Sequence, residues 1–340
     1  MKKQTIKDIA ELAGVSKGTV DRVIHKRGKV SKKAFEKVTK IIKEIDYNPN
    51  LLARSLKNTK QYHICVVLPD FKNDPFWESC RDGINDAIKE FKSFGVFIES
   101  YFFDLAESSS FLAVNKQVLE LAPDAVLLTP LFYKETLEVV INYNAANILV
   151  SKFNNQLDIN NTQNFVGQDL YKSGRIAASL MRSLTPKNST ILSVHIDEDI
   201  NNATHIQQKE KGFKSYFEEV GSYNLISFSC NDPDIETNLT ALVKTISNLS
   251  GVFVSTSKAY KIAEIFDGKN IKIIGYDLIE KNILLLKKNV IDFLINQNPK
   301  KQVYLGLSIL VEYFLFDKEI PKQSLLPIDI INAENVDTYL

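Results

Sequence analysis

The chain of 340 residues is poor in the side chains that build covalently stapled or metal-held scaffolds: three cysteines, four histidines, two methionines and one tryptophan. Cys65, Cys80 and Cys230 are widely spaced and show no metal-ligand pattern. Two of them sit in or beside apolar runs and read as small hydrophobes, which fits a reducing compartment. No stretch approaches the roughly 20 apolar residues needed to cross a bilayer. No apolar run follows the N-terminal lysines, so a secretory signal is not expected and the cytoplasm is the expected location. There is no G-x-S-x-G elbow, no P-loop and no H-E-x-x-H. No enzyme activity, cofactor or metal is therefore expected.

The net charge of +1 conceals an asymmetry. Residues 1–60 hold 16 Lys and Arg against 6 Asp and Glu, a net of +10, and the remainder carries −9. A basic head on an acidic body points to a polyanion as partner for the head alone.

The head explains the charge. In TIKDIAELAGVSKGTVDRVI, residues 5–24, Ile6, Ile9, Ala10, Leu12 and Ala13 recur at helical spacing, as do Val15, Val20, Val23 and Ile24, with a turn at Gly14 between them. Thr5 can cap the first helix and Ser16 the second, which leaves Lys17, Gly18, Thr19, Asp21 and Arg22 facing outward. This is a helix-turn-helix pattern, whose second helix enters a DNA major groove. A third helix starts at Ser31 and carries Phe35, Val38, Ile41, Ile42 and Ile45 as an apolar stripe. Asp46-Tyr47-Asn48-Pro49 stops it. Asn50 then caps a short stretch with Leu51, Leu52 and Leu56.

TIKDIAELAGVS, TVDRV, KVS and YNPNLLARSLK, in this order and spacing, resemble the head of the LacI/GalR family of bacterial repressors over residues 5–57. The resemblance implies a hinge helix at 50–57 that orders on operator DNA, with Leu56 as a minor-groove wedge that kinks the duplex and Ala53 allowing close helix approach. Asn50 and Lys57 belong to the same segment. Lys17 and Gly18 fall where the family contacts bases, and Lys17 can donate to guanine or to phosphate. Asp21 departs from the more usual serine; it either holds Arg22 or accepts from a cytosine amine. Arg22 is the candidate for reading a guanine, with Thr19 and Ser31 on phosphates. Lys29, with Lys2, Lys26 and Arg27, adds salt-sensitive backbone attraction.

From His63 onward, short apolar runs alternate with amphipathic segments. HICVVLP, GVFIESYFF, DAVLLTP and NILVSKF read as strands, and after polar 154–163 the pattern restarts with NFVGQD, TILSVHI, LISFSC, GVFVSTS, IKIIGYD and VIDFLIN. Serial strand–helix alternation predicts parallel sheets covered on both faces, and the restart predicts two doubly wound subdomains. Ligands in this architecture lie beyond the carboxyl ends of the strands. The residues there are Phe71, Asn73, Asp74, Phe76 and Trp77 after the first strand, then Asp169, Asp277 and Gln297. Carboxylates and amides around an aromatic plate suit a sugar. Asn73 and Asp74 read equally as turn caps, and Trp77 as core.

The body resembles the sugar-binding, periplasmic-binding-protein-like domain of the same family over roughly 62–338. The resemblance places ligand contacts on the segments carrying Phe76, Asp169, Asp277 and Gln297. Lys209 stands where many relatives have an arginine, three residues before Gly212-Phe213; it can hold a hydroxyl or carboxylate, without a bidentate fork. His205 reads as surface or packing.

The expected architecture is a small all-α helix-turn-helix head (1–49), a hinge helix and linker (50–61), and an α/β body of two doubly wound parallel-sheet subdomains (62–340). Within the body, 62–160 with 299–318 forms the first subdomain and 164–296 with 322–340 the second. The crossings between them are expected at 154–163, 297–299 and 317–322. The expected function is a sequence-specific DNA-binding regulator that represses carbohydrate-utilisation genes. It would bind double-stranded operator DNA as a homodimer on a pseudo-palindromic site and be released by a sugar or sugar acid. A corepressor-dependent regulator of a nucleobase or other metabolite is the alternative. A sugar-uptake protein is disfavoured by the DNA-binding head.

Overall fold

The computed structural model describes residues 6–24, 28, 30–44, 60–72, 74–157, 162–196 and 203–340. The chain divides into two compact units, Met1–Asn58 and Thr59–Leu340.

In the first unit, α1 (Ile6–Ala13), α2 (Lys17–Ile24) and α3 (Lys32–Glu44) enclose a core of Ile9, Ala10, Ala13, Val20, Val23 and Val38. Gly14 turns the chain between α1 and α2 with φ +64°, a left-handed conformation that costs glycine little. Ser16 caps α2, its Oγ accepting the Thr19 N–H at 3.1 Å. Leu12 does not join the core and is 59% exposed. At about 100° per residue it points away from the face set by Ile9, Ala10 and Ala13.

The second unit holds two parallel sheets. The first runs in the order β11-β5-β4-β3-β1-β2, with β1 (Tyr62–Pro69), β2 (Val96–Phe103), β3 (Ala125–Leu128), β4 (Leu149–Phe153), β5 (Asn164–Gly167) and β11 (Gln323–Leu325). The second runs β12-β10-β9-β8-β6-β7, with β6 (Thr190–Ile196), β7 (Asn224–Cys230), β8 (Leu249–Val254), β9 (Lys272–Tyr276), β10 (Phe293–Asn296) and β12 (Asp329–Ile331). Central strands such as β1 and β3 are buried on both faces, hence their unbroken apolar runs. Among the described residues only β12 is antiparallel, at the edge beside β10.

Two of the expected crossings are corrected. Residues 164–167 do not open the second subdomain: Ser151 of β4 pairs with Asn164 of β5, so the strand extends the first sheet. Gln323–Leu325 then pairs parallel to β5 and closes the same sheet. Because β4 and β5 belong to one sheet, no crossing separates them, and 317–322 leads to the edge strand of that sheet. A polar stretch marks a break in the chain, whereas backbone pairing decides which sheet the next strand joins. The passages between the sheets fall at Gln168-Asp169, Gln297-Asn298 and 326–328. Gln168 ties all three: its buried Nε2 donates to Asn296 O (2.9 Å) and Pro327 O (2.6 Å).

Helix α12 (Pro299–Phe316) returns to the first subdomain, where Val303, Leu307, Leu310 and Val311 join its core. In the second subdomain, α7 (Leu170–Leu184) and α8 (Thr204–Val220) cross backbone to backbone. A Cβ on Gly174 would lie 1.9 Å from Lys209 O, and one on Gly212 would lie 2.0 Å from Tyr171 O. That crossing fixes where Lys209 stands. Among the described residues no helix is long and apolar enough to cross a membrane.

Candidate functional site

The carboxyl ends of both sets of strands converge on a cleft with about 610 Å³ of free space, its solvent-open part included. Its first wall follows β1. Asp74 Oδ1 accepts the Phe76 N–H at 3.0 Å and caps the single turn Pro75–Trp77. The turn presents Phe76 and Trp77, packed edge to face with centroids 4.8 Å apart. Both rings line the cleft and belong to the first subdomain's core. Leu105, Leu131 and Asn154 complete this wall.

The second wall is polar and buried. Asp277, at the end of β9, takes a left-handed φ of +67°, which a short polar side chain tolerates. Its carboxylate accepts the Gln297 backbone N–H at 3.0 Å and Gln297 Nε2 at 2.7 Å. Burial pushes the Asp277 carboxyl up to about 6, against the pull of Lys209 and of the two Gln297 hydrogen bonds. Lys209 Nζ donates to Ser255 O at 3.0 Å and lies 3.8 Å from the centre of the Tyr276 ring. A buried ammonium is thus held by a carbonyl and a π-face, close to a buried carboxylate. His205, Ser255, Thr256, Ser257 and Lys258 fill the rest.

Two buried side chains support this wall. Asn282 Nδ2 donates to Ser257 O, Tyr276 O and Asp277 O at 2.8–3.1 Å, joining the loops after β8 and β9. His195 Nδ1 lies 2.7 Å from Ser255 Oγ, and its Nε2 lies 3.3 Å from Glu210 Oε1. Burial raises the Glu210 pKa, but hydrogen bonds from His195, Ser227 and Lys214 outweigh it and hold the carboxyl at about 2.

The structure therefore brings Asp74, Phe76, Trp77, Lys209, Asp277 and Gln297 together around one cleft. Asp169 does not join them. Its Oδ1 accepts the Lys172 N–H at 2.9 Å as the N-cap of α7, and Lys172 Nζ stands 3.4 Å from its other oxygen. A cap and a ligand carboxylate occupy the same place in sequence, just after a strand. Phe71 also stands outside the lining: it packs edge-on against Phe102 at 5.3 Å, under the Arg81 guanidinium. Asn73 lies outside the described residues. Contrary to the packing or surface reading, His205 lines the cleft. Asn154 and the loop 255–258 were not among the expected contacts; their position at the ends of β4 and β8 was the available signal.

In the head, Ser16, Lys17, Gly18, Asp21 and Arg22 are exposed on or beside α2, and Thr19 is half-buried with its hydroxyl 3.0 Å from Ser16 Oγ. Ser31 is exposed and caps α3 through the Ala34 N–H at 3.4 Å. Thr5, Lys29, Asn50, Ala53, Leu56 and Lys57 lie outside the described residues.

Residues 5–50 match the family model of bacterial regulatory proteins of the lacI family, and residues 64–318 match that of the periplasmic binding protein domain. The chain belongs to the LacI family of bacterial regulatory proteins. It shares 27% identity with a ribose operon repressor of Lactococcus lactis subsp. lactis, over 81% of each chain. It shares 25% with a sucrose operon repressor of Streptococcus mutans, over 97% of this chain and 98% of that one. A crystal structure from Bacteroides fragilis, assigned as a LacI transcriptional regulator, superposes with a TM-score of 0.77 at 24% identity, covering 83% of this chain and all of the other. The LacI-family chain is a DNA-binding transcriptional regulator, its head the DNA-binding module and its body of the periplasmic-binding-protein fold.

Proposed function

We propose that this regulator is a cytoplasmic, dimeric repressor of carbohydrate-utilisation genes, which leaves its operator when a sugar or sugar acid fills the cleft. The observation that carries the reading is the composition of the cleft. Two aromatic rings on one wall face a buried carboxylate, amide and ammonium on the other. A pyranose or furanose ring offers an apolar C–H face to stack and hydroxyls that both donate and accept. The ribose and sucrose operon repressors among the relatives support the same ligand class.

In this reading Phe76 and Trp77 stack on the sugar ring. Asp277 accepts from its hydroxyls, Gln297 holds that carboxylate, and Lys209 donates. Asp74 contacts the ligand from the capped turn. Lys17, Gly18 and Arg22 read bases, with Asp21 alongside; Ser16, Thr19, Ser31, Thr5 and Lys29 contact the backbone. The segment carrying Asn50, Ala53, Leu56 and Lys57 enters the minor groove. Ligand binds the closed arrangement of the subdomains more tightly and is thereby coupled to DNA, each weakening the other by one factor.

Selection of operator sequences from a random duplex library, followed by anisotropy titration with a panel of monosaccharides and uronic acids, tests the proposal. A recovered pseudo-palindrome whose affinity falls with one of these ligands supports it. Absence of sequence-specific binding, with or without ligand, defeats it.

A further inference from the structure

A second polar cluster stands at the opposite end of the first sheet, away from the cleft. His63 and Cys65 alternate along β1 and so share a face, and Cys65 pairs in register with Glu99 of β2. His63 Nε2 lies 2.9 Å from Glu99 Oε2 and 3.5 Å from Cys65 Sγ. The donor atoms of the three residues all lie within 4.8 Å of one another. Tyr101, two residues along β2, donates its hydroxyl to the same Glu99 oxygen at 3.0 Å.

We propose that His63, Cys65 and Glu99 form a binding site for a divalent transition-metal ion of the zinc type, with the Tyr101 hydroxyl or a water as fourth donor. The donor set selects the class. One imidazole nitrogen, one sulfur and one carboxylate oxygen suit zinc and its neighbours, whereas magnesium and calcium take oxygen. Tetrahedral coordination at ordinary zinc bond lengths separates donor atoms by roughly 3.3–3.6 Å. The His63–Cys65 separation already meets that. The Glu99 side chain is 37% exposed, and a shift of about 1 Å brings its carboxylate to the same spacing from both other donors.

Rigidity and access also fit. All the donors sit on paired strands rather than loops, and the His63 backbone N–H is anchored on Asp124 Oδ2 at 2.9 Å. Cys65 is fully buried, while the His63 side chain, 26% exposed, opens the cluster to solvent. Binding releases the thiol proton to solvent and leaves a thiolate–metal bond. The ion would then tie β1 to β2 within the second unit. The sequence shows no sign of the site, because the His-x-Cys pair finds its third donor 34 residues on, across the sheet.

Cobalt(II) titration of the full-length reduced protein tests this, because a thiolate ligand gives cobalt a near-ultraviolet charge-transfer band. The expected result is such a band, bleached by zinc, absent from Cys65→Ser and retained in Cys230→Ser. Zinc affinity should fall at least about tenfold in Glu99→Gln, whose partly exposed side chain makes misfolding no excuse. The proposal is overturned by the absence of a thiolate band, by a band that survives Cys65→Ser, or by equal zinc affinity in the wild type and Glu99→Gln; each would leave the cluster a hydrogen-bonded trio.

Discussion

Asn155 and Thr204 hold each other across the cleft. Asn155 follows β4 of the first subdomain and Thr204 opens α8 of the second. Asn155 Nδ2 donates to Thr204 Oγ1 at 2.9 Å, and the Thr204 hydroxyl donates back to Asn155 Oδ1 at 3.2 Å. Asn155 Nδ2 also donates to Pro130 O at 2.8 Å, which fixes the amide on its own subdomain. The pair links the two subdomains directly.

Thr204→Val keeps the shape and removes the link. The two hydrogen bonds lost together contribute about 1–2 kcal/mol, so ligand affinity measured by calorimetry should fall roughly five- to thirtyfold, with ligand-free operator binding not weakened. Unaltered ligand affinity would show that the pair does not hold the closed arrangement.

Asp277 sets a pH dependence. Its folded pKa of about 6 exceeds the ordinary 3.8, so between those values the folded state binds the proton more strongly than the unfolded chain. Stability from this group is therefore greatest at acid pH and is lost as pH rises from about 4 to 6. Asp277→Asn does not ionise. Its melting temperature relative to wild type should rise across that window and level off above it; a difference flat with pH would contradict the assignment.

Gly174 and Lys209 meet backbone to backbone. In Gly174→Ala the new methyl carbon would lie 1.9 Å from the Lys209 carbonyl oxygen, so α7 and α8 must separate. Overpacking of this kind costs about 1–3 kcal/mol, readable as a lowered urea midpoint. Because Lys209 rides on α8, ligand affinity should drop as well. A variant with both properties intact would mean that the helix contact is soft.

Arg22 is exposed on α2. If it reads a guanine, Arg22→Ala should cost about 1–3 kcal/mol of operator affinity and relax preference at one position. Lys17→Ala serves as the comparison, and a purely phosphate contact there would weaken all sequences alike and lower the salt slope. Anisotropy titrations on single-base operator variants distinguish the two patterns.

How far each residue could be read in advance follows from the kind of information it carries. Ile9, Val20 and Val38 were legible as core because helical periodicity is local, and Leu12 was misread because a count of apolar residues ignores its angle. Asp277 and Gln297 were legible because the α/β pattern places strand ends at a cleft. Asp169 satisfied the same rule yet caps a helix, since both roles need a short carboxylate just after a strand. Gln168 shows the limit: no local pattern foretells one amide bridging Asn296 and Pro327.

The sequence by itself determined the two-part plan: a basic, DNA-binding head of three short helices and a body of alternating strands and helices. Periodicity and charge are properties of neighbouring residues, so they are written along the chain. Only the tertiary structure decided which sheet Asn164–Gly167 joins, which strand-end groups face one another, and that His63 and Cys65 stand beside Glu99. Those outcomes depend on backbone pairing and helix approach between residues far apart in the chain.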